Sequence, residues 1–215
     1  MNKLIIKAKN FRQSIRQNGM KTEVRRLKNY IKYRKTVLNA YEEWQLLNEP
    51  NEEEIEEQKK YEPLLDTRFT IITSKDNENI DISNQTYENY SIQFFDADKY
   101  LENIKKLRSD YCIFMAKGIE MLPFALYEIE RFIEYNECNL IYADNDYLID
   151  GKRENPNFKP HFAYDNILSK NYFGNFIIIK TKFLQENENI LENLSKTEPI
   201  YNIILNTITK TNRIM

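Results

Sequence analysis

Five short apolar runs constrain the fold of this chain more than any other feature: RFTIITS (68–74), YSIQFF (90–95), YCIFM (111–115), NLIYA (139–143) and NFIIIK (175–180). Each is too short for a buried helix and is rich in Ile, Phe and Tyr, which suits strands. LPFALYEIERFIEYNE (122–137) lies between the third and fourth runs. Pro123 suits the first turn of a helix, and Leu122, Leu126, Ile129 and Ile133 trace one apolar face. Strand, helix, strand in that order predicts an α/β domain with a mostly parallel sheet over 67–215. The closing EPIYNIILNTITKTNRIM (198–215) reads as a final helix running to an abrupt stop.

The first third of the chain has a different texture. Residues 1–47 form a basic region in which Val24, Leu27, Ile31, Val37 and Leu38 recur at helical spacing among Lys and Arg side chains. Such a basic amphipathic helix either packs as a solvated helix on the main domain or lies on an anionic membrane surface. No recognition motif accompanies the charge, so nucleic acid is not an expected partner. The sign then reverses: NEPNEEEIEEQKKYEP opens an acidic linker or helix over 48–66, flanked by Pro50 and Pro63.

At 215 residues with 41% hydrophobic side chains, the chain can bury a core. No apolar run reaches the ~20 residues that span a bilayer, and the N-terminus lacks the ~7–15-residue apolar centre of a signal peptide. The expected location is therefore the cytoplasm, peripheral to the inner face of the membrane if the basic helix engages lipid. Cys112 and Cys138 sit among apolar residues and read as buried thiols. With one histidine and four glycines, the chain supports neither a serine-type triad nor a glycine-rich phosphate loop. The D-N-D-Y-L-I-D-G run is not a calcium loop, because Gly151 falls two places late and no glutamate closes it.

In open α/β sheets ligands gather beyond the carboxyl ends of the strands. The predicted strands deliver Ser74-Lys75-Asp76-Asn77, Asp96-Ala97-Asp98, Ala116-Lys117-Gly118 and Asp144-Asn145-Asp146 to those ends. Residues two apart on an extended segment point the same way, so Asp144 and Asp146 can grip one divalent cation or a ribose edge. Turn chemistry and solvation account for the same residue types at strand exits, and both readings stand at this point.

YADND, NFKPHF, ILSKNYFGN and IIIKTKFL follow one another in an order and spacing similar to a block of bacterial family 2 glycosyltransferases of the GT-A fold. Tyr142, Asp144, Asp146, Gly151, Phe158, Lys159, Pro160, Leu168, Asn171, Tyr172 and Gly174 fall on that pattern. QTYENYSI (85–92), PFALYEI (123–129) and YEEW (41–44) resemble segments that precede it. The resemblance implies a reduced GT-A-like domain behind a helical N-terminal region. It also implies hexosyl transfer from a nucleotide-diphosphate sugar to a surface polysaccharide or lipid-linked glycan, alongside other glycan-assembly proteins. The implied nucleotide-sugar-binding residues are Asp96, Asp98, Asp144 and Asp146, with Asp144 and Asp146 holding any Mn or Mg ion. Lys159 and His161 are expected on the acceptor side, and Asn171, Tyr172 and Gly174 in structural roles. No residue is assigned as catalytic.

The departures from that family are as informative as the matches. Its acidic metal motif, in a form such as LDHDDELAP, ends the strand before the P-ALYE helix; here FMAKGIEMLP puts Ala116, Lys117 and Gly118 there. The segments around NENIDIS and YLENIKKL are shorter than the family's, and DADK replaces a DDGS turn. Three outcomes therefore remain open: a transferase with an altered donor site, a non-catalytic glycan-binding or scaffolding domain derived from one, or a decayed relative with no independent role.

Overall fold

The computed structural model describes residues 39–215, except 78, 79, 95, 195 and 196, together with Met20, Val24 and Lys28. The remainder of the basic helix expected over 1–37 lies outside the described residues. The chain divides into two units. One comprises Met1–Asn51 and Leu148–Pro156, the other Glu52–Tyr147 and Asn157–Met215.

In the smaller unit, helix α1 (Ala40–Asn48) begins at a capping box. The Asn39 side chain accepts from the N–H groups of Tyr41 and Glu42, and Glu42 reaches back to the Asn39 N–H at 2.8 Å. Arg153 forks onto Glu49 through two bonds of 2.7 Å and donates a third to the Tyr41 hydroxyl at 3.2 Å. Both charged side chains are more than three-quarters buried, so this bidentate pair is shielded from water as exposed pairs are not.

The larger unit carries helix α2 (Glu52–Gln58) and then the five predicted strands. These are β1 (Phe69–Thr73), β2 (Tyr90–Phe94), β3 (Tyr111–Met115), β4 (Leu140–Tyr142) and β7 (Phe176–Lys180). They form one sheet in the order β2-β1-β3-β7-β4. β1 pairs in parallel with both β2 and β3, whereas β7 runs antiparallel between β3 and β4. The fold is thus mixed α/β, and the mostly parallel sheet contains one reversed strand. β1, β3 and the centre of β7 are buried on both faces, which explains their unbroken apolar sequence. Ile72, Phe114, Ile177 and Ile179 face one core, with α3 (Tyr100–Ile104), α6 (Thr181–Glu186) and α7 (Pro199–Ile208) contributing to it. Phe69, Ile71, Ile113 and Ile178 face the other, against Leu126, Ile129 and Ile133 of α4 (Ala125–Tyr135).

Two further strands, β5 (Asn145–Ile149) and β6 (Lys152–Asn157), make a separate hairpin. Its turn is Asp150-Gly151, with φ of +50° and +77°. Positive φ at both central residues is the type I′ geometry that matches strand twist, and Asp-Gly tolerates it well. Helix α5 (Tyr164–Ser169) follows. The abrupt stop expected after the last helix is instead a strap on the sheet edge. Residues 213–215 run beside β4, with Tyr142 N–H donating to Met215 O at 2.9 Å and Met215 N–H to Leu140 O at 3.1 Å. β4 would otherwise expose an unpaired edge, so the strap satisfies its backbone.

Pro123 precedes α4 rather than occupying its first turn, and the segment QTY explains the helix start. The Gln85 amide donates to Leu122 O at 2.8 Å and accepts from Leu126 N–H at 3.1 Å. Thr86 donates to buried Gln58 at 3.0 Å, and Tyr87 to Thr67 O at 2.6 Å. The acidic segment after α2 is held to α4 as well: Tyr61 and the Leu64 N–H donate to Glu134, and Arg131 pairs with Glu134 at 2.8 Å.

Glu130 of α4 is fully buried, with one carboxyl oxygen accepting from Thr67 N–H at 3.4 Å and the other without a hydrogen bond. Burial, followed by repulsion from Glu134 and Asp66, raises its pKa above the ordinary 4.5. A carboxyl whose folded-state pKa is raised favours the fold most at low pH, and that contribution is lost as pH climbs through the folded value. Urea unfolding from pH 4.5 to about 8 is expected to show wild type losing stability relative to Glu130→Gln as pH rises. A constant difference would contradict the raised pKa.

Candidate functional site

Because β1, β2, β3 and β4 all run the same way, their carboxyl ends share one edge of the sheet. Beyond β1 the chain enters a 3-10 turn at Lys75–Asn77, where the Ser74 hydroxyl donates to Asp76. Beyond β3 the left-handed Gly118 (φ +81°) reverses the backbone, and Lys117 reaches across to Asp76 at 3.2 Å. The Ser74 hydroxyl first, and then Lys117, hold the Asp76 carboxyl below its ordinary pKa. Beyond β2, Asp96 lies 3.9 Å from the Lys75 ammonium. Asp98 is separate from these pairs. It lines a cleft of about 430 Å³ with Ala97, Leu101, Leu191, Glu192, Asn193 and Leu194. The four expected nucleotide-sugar residues are therefore not one cluster: Asp96 belongs to the lysine-aspartate rim and Asp98 to this neighbouring cleft.

Asp144 and Asp146 also differ from the expectation of two equivalent acids on one strand end. β4 stops at Tyr142, Asp144 lies in the exposed connection, and Asp146 is half-buried inside β5. The Asp144 carboxylate accepts from the Lys159 N–H at 2.7 Å. Divalent-metal chemistry fits poorly at the end of β3, where Ala116 and Gly118 have no donor side chain and Lys117 adds positive charge. Among the described residues, no three His, Cys, Asp or Glu side chains come together as a metal-binding group.

Tyr142 and residues 158–174 of the larger unit close around Phe173, which is fully buried. Tyr142 stacks on the Phe173 ring at 3.8 Å, and Tyr172 and Phe162 meet it edge-on at 4.9 and 6.1 Å. Polar bonds brace the same residues: Tyr142 donates to Pro160 O at 2.7 Å, and the Tyr172 hydroxyl accepts from Ala163 N–H at 2.9 Å. Burial pushes the Tyr142 phenol up to about 12, so it stays a donor. Asn171 closes the next turn, accepting from Gly174 N–H at 3.1 Å and donating to Gly174 O at 3.2 Å. Gly174 takes φ +80° there, and the turn leads into β7, where Ala116 N–H donates to Asn175 O at 3.0 Å.

Lys159 enters this knot from the acceptor-side segment. Its ammonium donates to Phe173 O at 2.6 Å, and a Cβ on Gly174 would lie 3.5 Å from it. Burial lowers its pKa to about 8, opposed by the nearby Asp144 charge. His161, two residues on, is exposed. Lys159 is thus an internal brace, and the two expected acceptor-side residues occupy different environments. Sequence reasoning does not anticipate the Lys117–Asp76 bridge or the aromatic stack on Phe173. The bridge joins residues 41 positions apart, and the stacked rings are indistinguishable from any run of aromatics until the chain closes.

No protein-family model, curated protein or solved structure matches the chain.

Two outcomes test the brace. A buried base with a lowered pKa is penalised while charged, so Lys159 should make stability rise as pH passes from about 8 to 10.5. Lys159→Met should flatten that rise in urea unfolding; an identical slope would rule out a buried ammonium. Gly174→Ala forces a side chain into the left-handed region beside Lys159 and should cost about 1–2 kcal/mol in the same measurement.

Proposed function

We propose that this chain is a shortened family 2 glycosyltransferase-like protein of surface-polysaccharide or lipid-linked glycan assembly, built on a reduced GT-A-like domain. The observation that carries the reading is the convergence of four strand exits on one sheet edge of the larger unit, which also carries the family-like residues Asp144, Lys159 and 171–174. Open α/β sheets bind ligands at such edges. In this reading the rim faces a nucleotide-diphosphate sugar and the 158–161 segment faces the glycan acceptor, at the cytoplasmic side of the membrane. The family's divalent ion would supply charge neutralisation for a diphosphate leaving group. The residues at the end of β3 do not suit it, and no catalytic step is assigned through it.

A second reading is a non-catalytic glycan-binding or scaffolding domain. Its support is specific: Lys117 is bonded to Asp76, and Asp144 is bonded to the Lys159 backbone, so residues at the expected donor site already serve the fold.

Calorimetric titration of UDP-sugars and dTDP-sugars, with and without manganese, separates the two. Donor binding weakened at least tenfold by Asp144→Ala or Asp146→Ala supports a donor site at the paired acids. Absence of binding to every donor, together with binding to an oligosaccharide panel, selects the non-catalytic domain. Asp144→Ala also removes one charge-assisted hydrogen bond, and an accompanying stability loss of about 1–2 kcal/mol is expected.

A further inference from the structure

The cleft of about 430 Å³ that holds Asp98 belongs neither to the lysine-aspartate rim nor to the residues packed on Phe173, and its lining lies wholly in the larger unit. Ala97, Leu101, Leu191 and Leu194 supply apolar walls. They come from the 3-10 turn Ala97–Lys99, from α3, and from the end of the 3-10 turn Glu188–Leu191 and the residues after it. Leu191 is buried, while Leu101 and Leu194 are half-buried and keep a face toward the opening. The polar lining is Asp98, Glu192 and Asn193, two carboxylates and an amide without a cation. Among the described residues, neither carboxylate accepts a hydrogen bond or pairs with a cation. Neighbouring lysines are engaged by other acids: Lys105 pairs with Glu188 at 2.8 Å, and Lys75 lies 3.9 Å from Asp96.

We infer that this cleft binds an aliphatic polyamine, a chain of methylenes carrying ammonium groups. Apolar walls alone would take any hydrophobe, and exposed carboxylates alone hold any cation weakly. Together they select a ligand with an aliphatic body and positive ends. Its methylenes lie against the leucines, and its ammonium groups donate charge-assisted hydrogen bonds to Asp98 and Glu192. The cleft falls in the ~300–1,000 Å³ range of small-molecule sites and is larger than one lysine side chain fills, which favours a free amine over a side chain of a partner protein. The same two negative charges repel a phosphate or diphosphate, so the inference stands apart from the donor-binding reading.

Calorimetric titration of the full chain with spermidine, and with putrescine, cadaverine and diaminooctane as a length series, tests this directly. Binding should weaken as salt is raised, because the charges are exposed. Affinity should tighten along the series by about twofold or more per added methylene, against about fourfold for complete burial. Asp98→Asn and Glu192→Gln should each weaken spermidine at least fivefold with the circular dichroism unchanged, and Leu194→Asn should flatten the length series. Absence of binding by every amine overturns the inference, as does binding that neither acid substitution changes. Affinity independent of chain length, or displacement of spermidine by an equal concentration of magnesium, shows a counter-ion only and overturns it too. Binding of Nα-acetyl-lysine methylamide as tightly as spermidine assigns the cleft to a partner's lysine and overturns the free polyamine.

Discussion

The reversed strand β7 is the constraint on which the larger unit depends. Its backbone pairs on one side with β3 and on the other with β4, and Ile177, Ile178 and Ile179 are completely buried. Alternate residues of that run supply both cores, Ile177 and Ile179 to one and Ile178 to the other. A one-residue slip would exchange those faces and break two ladders together. The entry to β7 is correspondingly well fixed. Asn171 clasps Gly174, Lys159 holds the carbonyl of Phe173, and Ala116 N–H meets Asn175 O where β3 ends. The family-like motif residues are thus first of all the machinery that delivers a buried strand in register.

Charge is arranged differently in the two parts of the site. Along the rim, lysines and aspartates pair across neighbouring strand exits while remaining largely exposed, so they are exchangeable with solutes. Beside Phe173 the half-buried Lys159 gives its ammonium to a backbone carbonyl, and its lowered pKa reflects the cost of partial burial. The rim arrangement suits ligand binding, and the buried one suits holding a shape. Glu130 repeats the buried logic on the opposite core, where it anchors the strand-leading residue Thr67.

The sheet strands are legible because their pattern needs no partner to be recognised: short runs dense in Ile, Phe and Tyr have few alternatives in water. The α4 helix is legible from its apolar stripe, although its start is not. Gln85 fixes that start through atoms some forty residues away in sequence, which no local signal announces. β5 and β6 escape sequence reading because KRENPN carries no apolar alternation, and the Asp150-Gly151 turn joins them. Of the candidate site, the strand exits are readable as polar residues following apolar runs, while their pairing is not.

By itself the sequence determined the α/β class, the five sheet strands and the loss of acids after β3, since each follows from local propensity or residue type. The tertiary structure alone decided that β7 runs backwards, that residues 213–215 cover the edge of β4, and that Asp96 and Asp98 part company. It also decided that Lys117 finds Asp76 and that Lys159 turns inward. Those outcomes depend on which surfaces meet when two cores close around one sheet, and pairing between distant segments leaves no periodic trace in the chain.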